Sequence, residues 1–135
     1  MVLFTLSACS PQLPEGKMRL ERNTYVEVPS SFTVLKEEFQ DMLQDYGVLY
    51  DIKVTRKNVQ ELVKNIKACG YYDPDVYVDA SQTWHGNLYG RCNEFEGAWV
   101  RYLSGYRFYR NDHGTSISAS YDTTTGILKY QELGD

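Results

Sequence analysis

From Thr115 to Tyr121 the side chains alternate without interruption: Thr115, Ile117, Ala119 and Tyr121 on one parity, Ser116, Ser118 and Ser120 on the other. An extended strand sends successive side chains to opposite faces, so this segment predicts a strand with one buried face and one wet face. Both flanks carry reversal chemistry. Asn111-Asp112-His113-Gly114 precedes it and Asp122-Thr-Thr-Thr-Gly126 follows, residue types that tolerate the backbone angles of tight turns. Residues 127–133 then supply a last strand, and the β-prone residues 98–110 supply the one before. The C-terminal third is expected to be a three-stranded antiparallel meander.

Upstream the period changes. Phe32, Leu35, Phe39, Met42, Leu43 and Tyr46 recur at spacings of three and four, which predicts a helix over 32–46. Pro29 and a Ser30 or Ser31 cap would open it, and Gly47 would close it. Val48, Tyr50, Ile52 and Val54 predict a half-buried strand. Thr55 offers a cap for a second helix with Val59, Leu62, Val63 and Ile66 as its apolar stripe, Lys64 and Lys67 near its C-terminal end and Gly70 as its stop. Tyr72 to Asp75 reads as a turn, residues 76–79 as a short strand, and residues 82–89 as irregular, broken at Gly86. The expected fold class is therefore α+β, with two helices packed on an antiparallel sheet ending in a three-stranded meander.

The 135 residues suffice for one domain with a real core. Hydrophobic residues at 42% and charged residues at 24% are globular values. Of 19 aromatic side chains, 13 lie between Tyr71 and Tyr130, which places an amphipathic aromatic surface on the sheet. The net charge of -4 lacks the basic face that phosphate contacts need, so nucleic acid is not an expected partner. No stretch approaches the roughly 20 apolar residues of a membrane-spanning helix.

At the N-terminus an apolar run ends in Leu6-Ser7-Ala8-Cys9. These four residues resemble the lipobox of bacterial lipoproteins, in which small residues precede a cysteine that becomes the lipidated first residue. The resemblance implies that residues 1–8 are the remnant of a signal peptide, that Cys9 is the lipidation site, and that Ser10 permits outer-membrane sorting. No Lys or Arg precedes Lys17, a departure from ordinary signal peptides. Residues 9–23, with Pro11, Pro14, Gly16 and five charges, are expected to form the anchor and a solvated tether, leaving 24–135 as the domain. With Cys9 so used, Cys69 and Cys92 are the pair expected to form a disulfide in an oxidising compartment. A loop of 23 residues closed in this way stabilises by about 3 kcal/mol. The order of helices before sheet also resembles small outer-membrane lipoproteins of the BamE-like type; the strand at 48–54 and the long aromatic segment depart from that pattern.

No residue set commits to catalysis. His85 and His113 lack the spacing of a zinc site, and no metal or cofactor is expected. Asp73, Asp75 and Asp79 lack the twelve-residue loop of a calcium site. Neither Cys69 nor Cys92 resembles the nucleophile of a cysteine peptidase. Glu94 and Glu96, two apart, would share a strand face as the paired acids of a glycan hydrolase require.

Residues 98–110 are more informative. As one strand they carry Val100, Tyr102, Tyr106 and Phe108 on one face, and Trp99, Arg101, Leu103, Arg107 and Tyr109 on the other. A face mixing Trp, Arg and Tyr has the composition of protein interfaces. The expected function is a periplasm-facing, outer-membrane-anchored lipoprotein whose domain binds another envelope or secreted protein, as an assembly subunit or an immunity or inhibitor protein. Trp99, Arg101, Arg107 and Tyr109 are the expected contacts, with Trp84 as neighbour. A cell-wall glycan or peptide hydrolase is the rival reading. A cytosolic domain, with residues 1–8 packed inside and Cys69 far from Cys92, is another.

Overall fold

The computed structural model describes residues 16–134, so the lipobox and Cys9 lie outside the described residues. Helix α1 (Gly16–Thr24) leads into a hairpin of β1 (Phe32–Met42) and β2 (Asp45–Val54). A 3-10 turn (Arg56–Asn58) then opens helix α2 (Val59–Ala68). Six strands follow: β3 (Tyr72–Val78), β4 (Trp84–His85), β5 (Ala98–Tyr102), β6 (Gly105–Asp112), β7 (Thr115–Asp122) and β8 (Ile127–Gly134). All eight strands join one sheet in the order β1-β2-β8-β7-β6-β5-β3-β4. Every neighbouring pair is antiparallel except β3 with β5, so the sheet is mixed.

This corrects the expected fold class: the molecule is mostly sheet, and its meander runs through β5, β6, β7 and β8, not three strands. The expected helix over 32–46 is the β1–β2 hairpin. Its apparent helical spacing has a local cause. A bulge between Val34 and Lys36 shifts the strand's parity by one, so Phe32 and Val34 pair with Val54 and Ile52 before it while Glu37 and Phe39 pair with Tyr50 and Val48 after it. Two periods of two, offset by a bulge, imitate threes and fours. The reversal falls at Leu43, whose φ is 43°, and Gly47 lies inside β2 instead of capping a helix.

The second expected helix is present as α2, with Leu62, Val63 and Ile66 buried. Thr55 precedes its 3-10 entry without a side-chain cap bond. The strands at 48–54, 115–121 and 127–133 and their turns stand as read. Residues 72–75, expected as a turn, belong to β3, and the expected single strand over 98–110 is two strands reversing at Leu103 and Ser104.

Both helices cover one face of the sheet. Val48, Tyr50, Ile52 and Val54 of β2, Leu128 and Tyr130 of β8, Tyr121 of β7, Phe108 of β6 and Trp99 of β5 meet Leu20 of α1 and Leu62 and Ile66 of α2 in a single core. The described part of the expected tether is thus structural: α1 is docked, with Leu20 fully buried. A polar network fastens it. The buried Glu132 carboxylate accepts from Arg19 at 2.8 Å and Tyr46 at 2.5 Å on one oxygen, and from Tyr130 at 2.8 Å and Asn23 at 3.4 Å on the other. Burial pushes this carboxyl's pKa upward, but the donations from Tyr46, Tyr130 and Arg19 outweigh it and hold the group below its ordinary value.

Candidate functional site

Among the described residues, the sheet's second face has no helix on it. Near β3 a small apolar cluster of Val76, Val78 and Val100 sits there, with Leu88 from the segment after β4 and Tyr102 packed against it. Towards β2 the face is open. A groove of about 520 Å³ lies across β2, β8, β7 and β6, lined among others by Leu49, Asp51, Lys129, Gln131, Ser118, Ser120, Arg107 and Tyr109, with Gln82 from the turn between β3 and β4. The alternation of residues 115–121 supplies its floor, because the serines of β7 point away from the core while Ile117, Ala119 and Tyr121 point into it.

The turn at Leu103 and Ser104 decides where the expected contacts fall. Trp99 pairs with Phe108 and Arg101 with Tyr106, both towards the helix-covered side, while Val100 pairs with Arg107 and Ala98 with Tyr109 on the open side. The four expected contacts therefore split between two faces. Trp99 is fully buried, its indole N–H donating to the Thr24 carbonyl at 2.8 Å. Arg101 is exposed on the helix side, 5.3 Å above the Tyr77 ring. These two leave the candidate site.

Arg107, Tyr109 and Trp84 stay together on the open side. Trp84 pairs with Val78 at the end of the sheet, is 36% exposed, and stands 5.4 Å from Tyr109 between ring centroids. Arg107 lies 3.6 Å over the Tyr102 ring. It donates to Gln82 Oε1 at 2.8 Å and to the Tyr109 hydroxyl at 3.3 Å, while Gln82 Nε2 donates to the Tyr102 hydroxyl at 2.8 Å. The guanidinium is thereby fixed by a ring below and neutral oxygens beside it.

Sequence reading missed Gln82, Asp51 and Lys129 because nothing local marks them: they meet only through sheet register. Ser118 and Ser120 were legible as a wet face, though not as the floor of a groove.

The residues of the hydrolase reading do not gather. Glu94 and Glu96 are exposed in a turn, not on a strand, with Glu96 accepting from Asn93 at 2.9 Å. His85 holds Asp79 at 2.8 Å and stacks on Tyr77 at 4.5 Å, and this contact, with Ser81 and the Thr83 amide, holds the Asp79 carboxyl well below its usual range. His113 is exposed beside Asp112 at 2.7 Å. None of these side chains lines the groove. Among the described residues no group of three or more metal-ligating side chains is present.

Cys69 and Cys92 are unbonded, which differs from the disulfide expected of them. Both are half-buried, and burial pushes both thiols up from their ordinary pKa. No protein-family model, curated protein or solved structure matches the chain, and the reading of the groove rests on its own residues.

Proposed function

We propose that the chain is a binding module that docks a partner protein on the open face of its sheet, and that a lipid on Cys9 holds it at the periplasmic side of the outer membrane. The observation that carries the docking reading is the set of Trp84, Tyr109, Arg107 and Tyr102. Trp, Tyr and Arg are the residue types that dominate interface energetics, because they combine large contact area with directional polar ends. Here they stand on a face that no helix among the described residues covers, beside a groove with exposed or half-exposed polar walls. Folding draws little on Trp84, Arg107 and Tyr109, since the main core lies on the other side and the small cluster on this one is built from Val76, Val78 and Val100 with Leu88 and Tyr102.

The anchor rests on the lipobox resemblance and on chain length. Six residues lie between Cys9 and Gly16, a span of at most about 25 Å when extended. A domain so tethered works close to its membrane. The natural partner is then another envelope or secreted protein.

The test is capture from the native envelope by the wild-type chain and by a Trp84→Ala/Arg107→Met variant, with Lys64→Ala on the exposed side of α2 as control. The proposal predicts one partner retained by wild type and control and reduced at least tenfold for the double variant. Equal capture by all three would refute it. Mass spectrometry of the membrane-extracted chain tests the anchor: a diacylglyceryl cysteine at position 9 supports it, and an unmodified Met1 overturns it.

A further inference from the structure

We propose that the groove takes an anionic group, a carboxylate on an acidic segment of the partner protein, seated over Ser120 between Arg107 and Lys129. This deepens the reading of the open face and rests on it.

Register places the charges. Across the sheet, Lys36 pairs with Asp51, Asp51 with Lys129, Lys129 with Ser120, Ser120 with Arg107, and Arg107 with Val100. That is one continuous row on the open face. Three cations share it with a single acid; Lys36, at the edge, is already paired with Glu38 at 3.8 Å, and Asp51 stands beside Lys129, so the charge left over lies at the Arg107 and Lys129 end although the whole chain carries -4. Ser120, with a short side chain, forms the gap. Strands lie about 4.8 Å apart, so Lys129 and Arg107 rise from backbones about 10 Å apart, enough for one carboxylate between their long side chains.

Arg107 shows how its charge is managed. It is half-buried, yet its polar contacts among the described residues are all neutral: Gln82 Oε1, the Tyr109 hydroxyl and the Tyr102 ring. Lys129 makes no ion pair among the described residues. By contrast Arg19, on the core side, has a carboxylate of its own at 2.8 Å. Withdrawing a guanidinium from water without a counter-charge is costly, and fixing it in place beforehand removes part of the cost of pairing it later. An incoming carboxylate meets a fork already oriented by Gln82 and Tyr109, with the serine hydroxyl below it and Lys129 opposite. A neutral ligand would gain nothing from this arrangement. A basic one would be repelled.

The probe is an acetylated tetraglutamate peptide titrated into the isotope-labelled full chain, followed by NMR, with tetraglutamine of equal length as comparison. The expected result is saturable shifts of the Arg107 Nε–Hε and Ser120 amide signals with the acidic peptide only. Arg107→Met should weaken this binding at least about tenfold. Lys129→Met, at an exposed residue without a bonding role, should weaken it less while leaving the fold intact. Equal shifts with tetraglutamine would overturn the anionic reading and leave the docking face standing, since partner capture by the wild type is measured separately. Shifts absent at millimolar peptide, or scattered over the surface and indifferent to Arg107→Met, would also overturn it.

Discussion

Trp99 and Arg107 were given the same expected role, and they do opposite things. Trp99 joins Phe108 and Leu20 in the core, and its indole N–H satisfies the Thr24 carbonyl at the end of α1. Trp99→Ala is therefore expected to cost about 3–5 kcal/mol in urea denaturation, and Trp99→Phe about 1–3 kcal/mol, because the ring is largely replaced while the carbonyl loses its donor. Arg107→Met, by contrast, should move stability by little and binding by much. Residue type alone could not separate them, since both belong to the chemistry of interfaces.

Glu132 marks another residue-scale consequence. Its pKa in the folded protein is lowered, as are those of Asp79 and Asp122, so their contribution is present above the ordinary carboxylate range near pH 4 and is lost as pH falls through the lower folded values. Glu132→Gln should cost about 2 kcal/mol at pH 7 and flatten the acid limb of the stability curve. Urea midpoints at pH 7 and pH 3 check this: a variant falling as steeply as wild type would show that Glu132 is not the group titrating.

At the scale of elements, legibility followed locality. The last two strands and α2 carry their own period and their own stop signals, and they stood in the sequence much as they stand in the fold. β1 did not, because its bulge is meaningful only against β2. The hairpin of β5 and β6 failed for a related reason: Leu103 and Ser104 are unremarkable turn residues, and Leu103 takes a φ of 50° that its side chain does not advertise. One missed reversal moved Trp99 and Arg101 to the other face from Arg107 and Tyr109. The glycine after the turn is the stronger signal in retrospect. A Cβ on Gly105 would come 1.7 Å from the Tyr121 carbonyl oxygen, in backbone that cannot give way without breaking the β6–β7 ladder. Gly105→Ala is expected to destabilise by about 2 kcal/mol or more, read as a lowered urea midpoint with the open-face residues unchanged. Unaltered stability would show that β6 and β7 are not in this register.

At the scale of the molecule the two sides of one sheet have divided the work. The side under α1 and α2 holds nearly all the buried apolar surface and the buried Glu132 carboxylate with its four donors. The other side keeps its aromatic and cationic groups half-exposed around a groove. Composition pointed to an aromatic, amphipathic sheet; the division itself depended on strand order, which joins residues as distant as Lys36 and Arg107 in one row and has no local trace. The most direct measurement is photo-crosslinking in the native envelope, with a benzophenone amino acid placed at Ser118 on the groove floor or at Lys64 on the exposed side of α2. The account predicts a partner adduct of defined mass from position 118, none from position 64, and loss of the adduct when Arg107→Met is added. An adduct from 64 and none from 118 would contradict it.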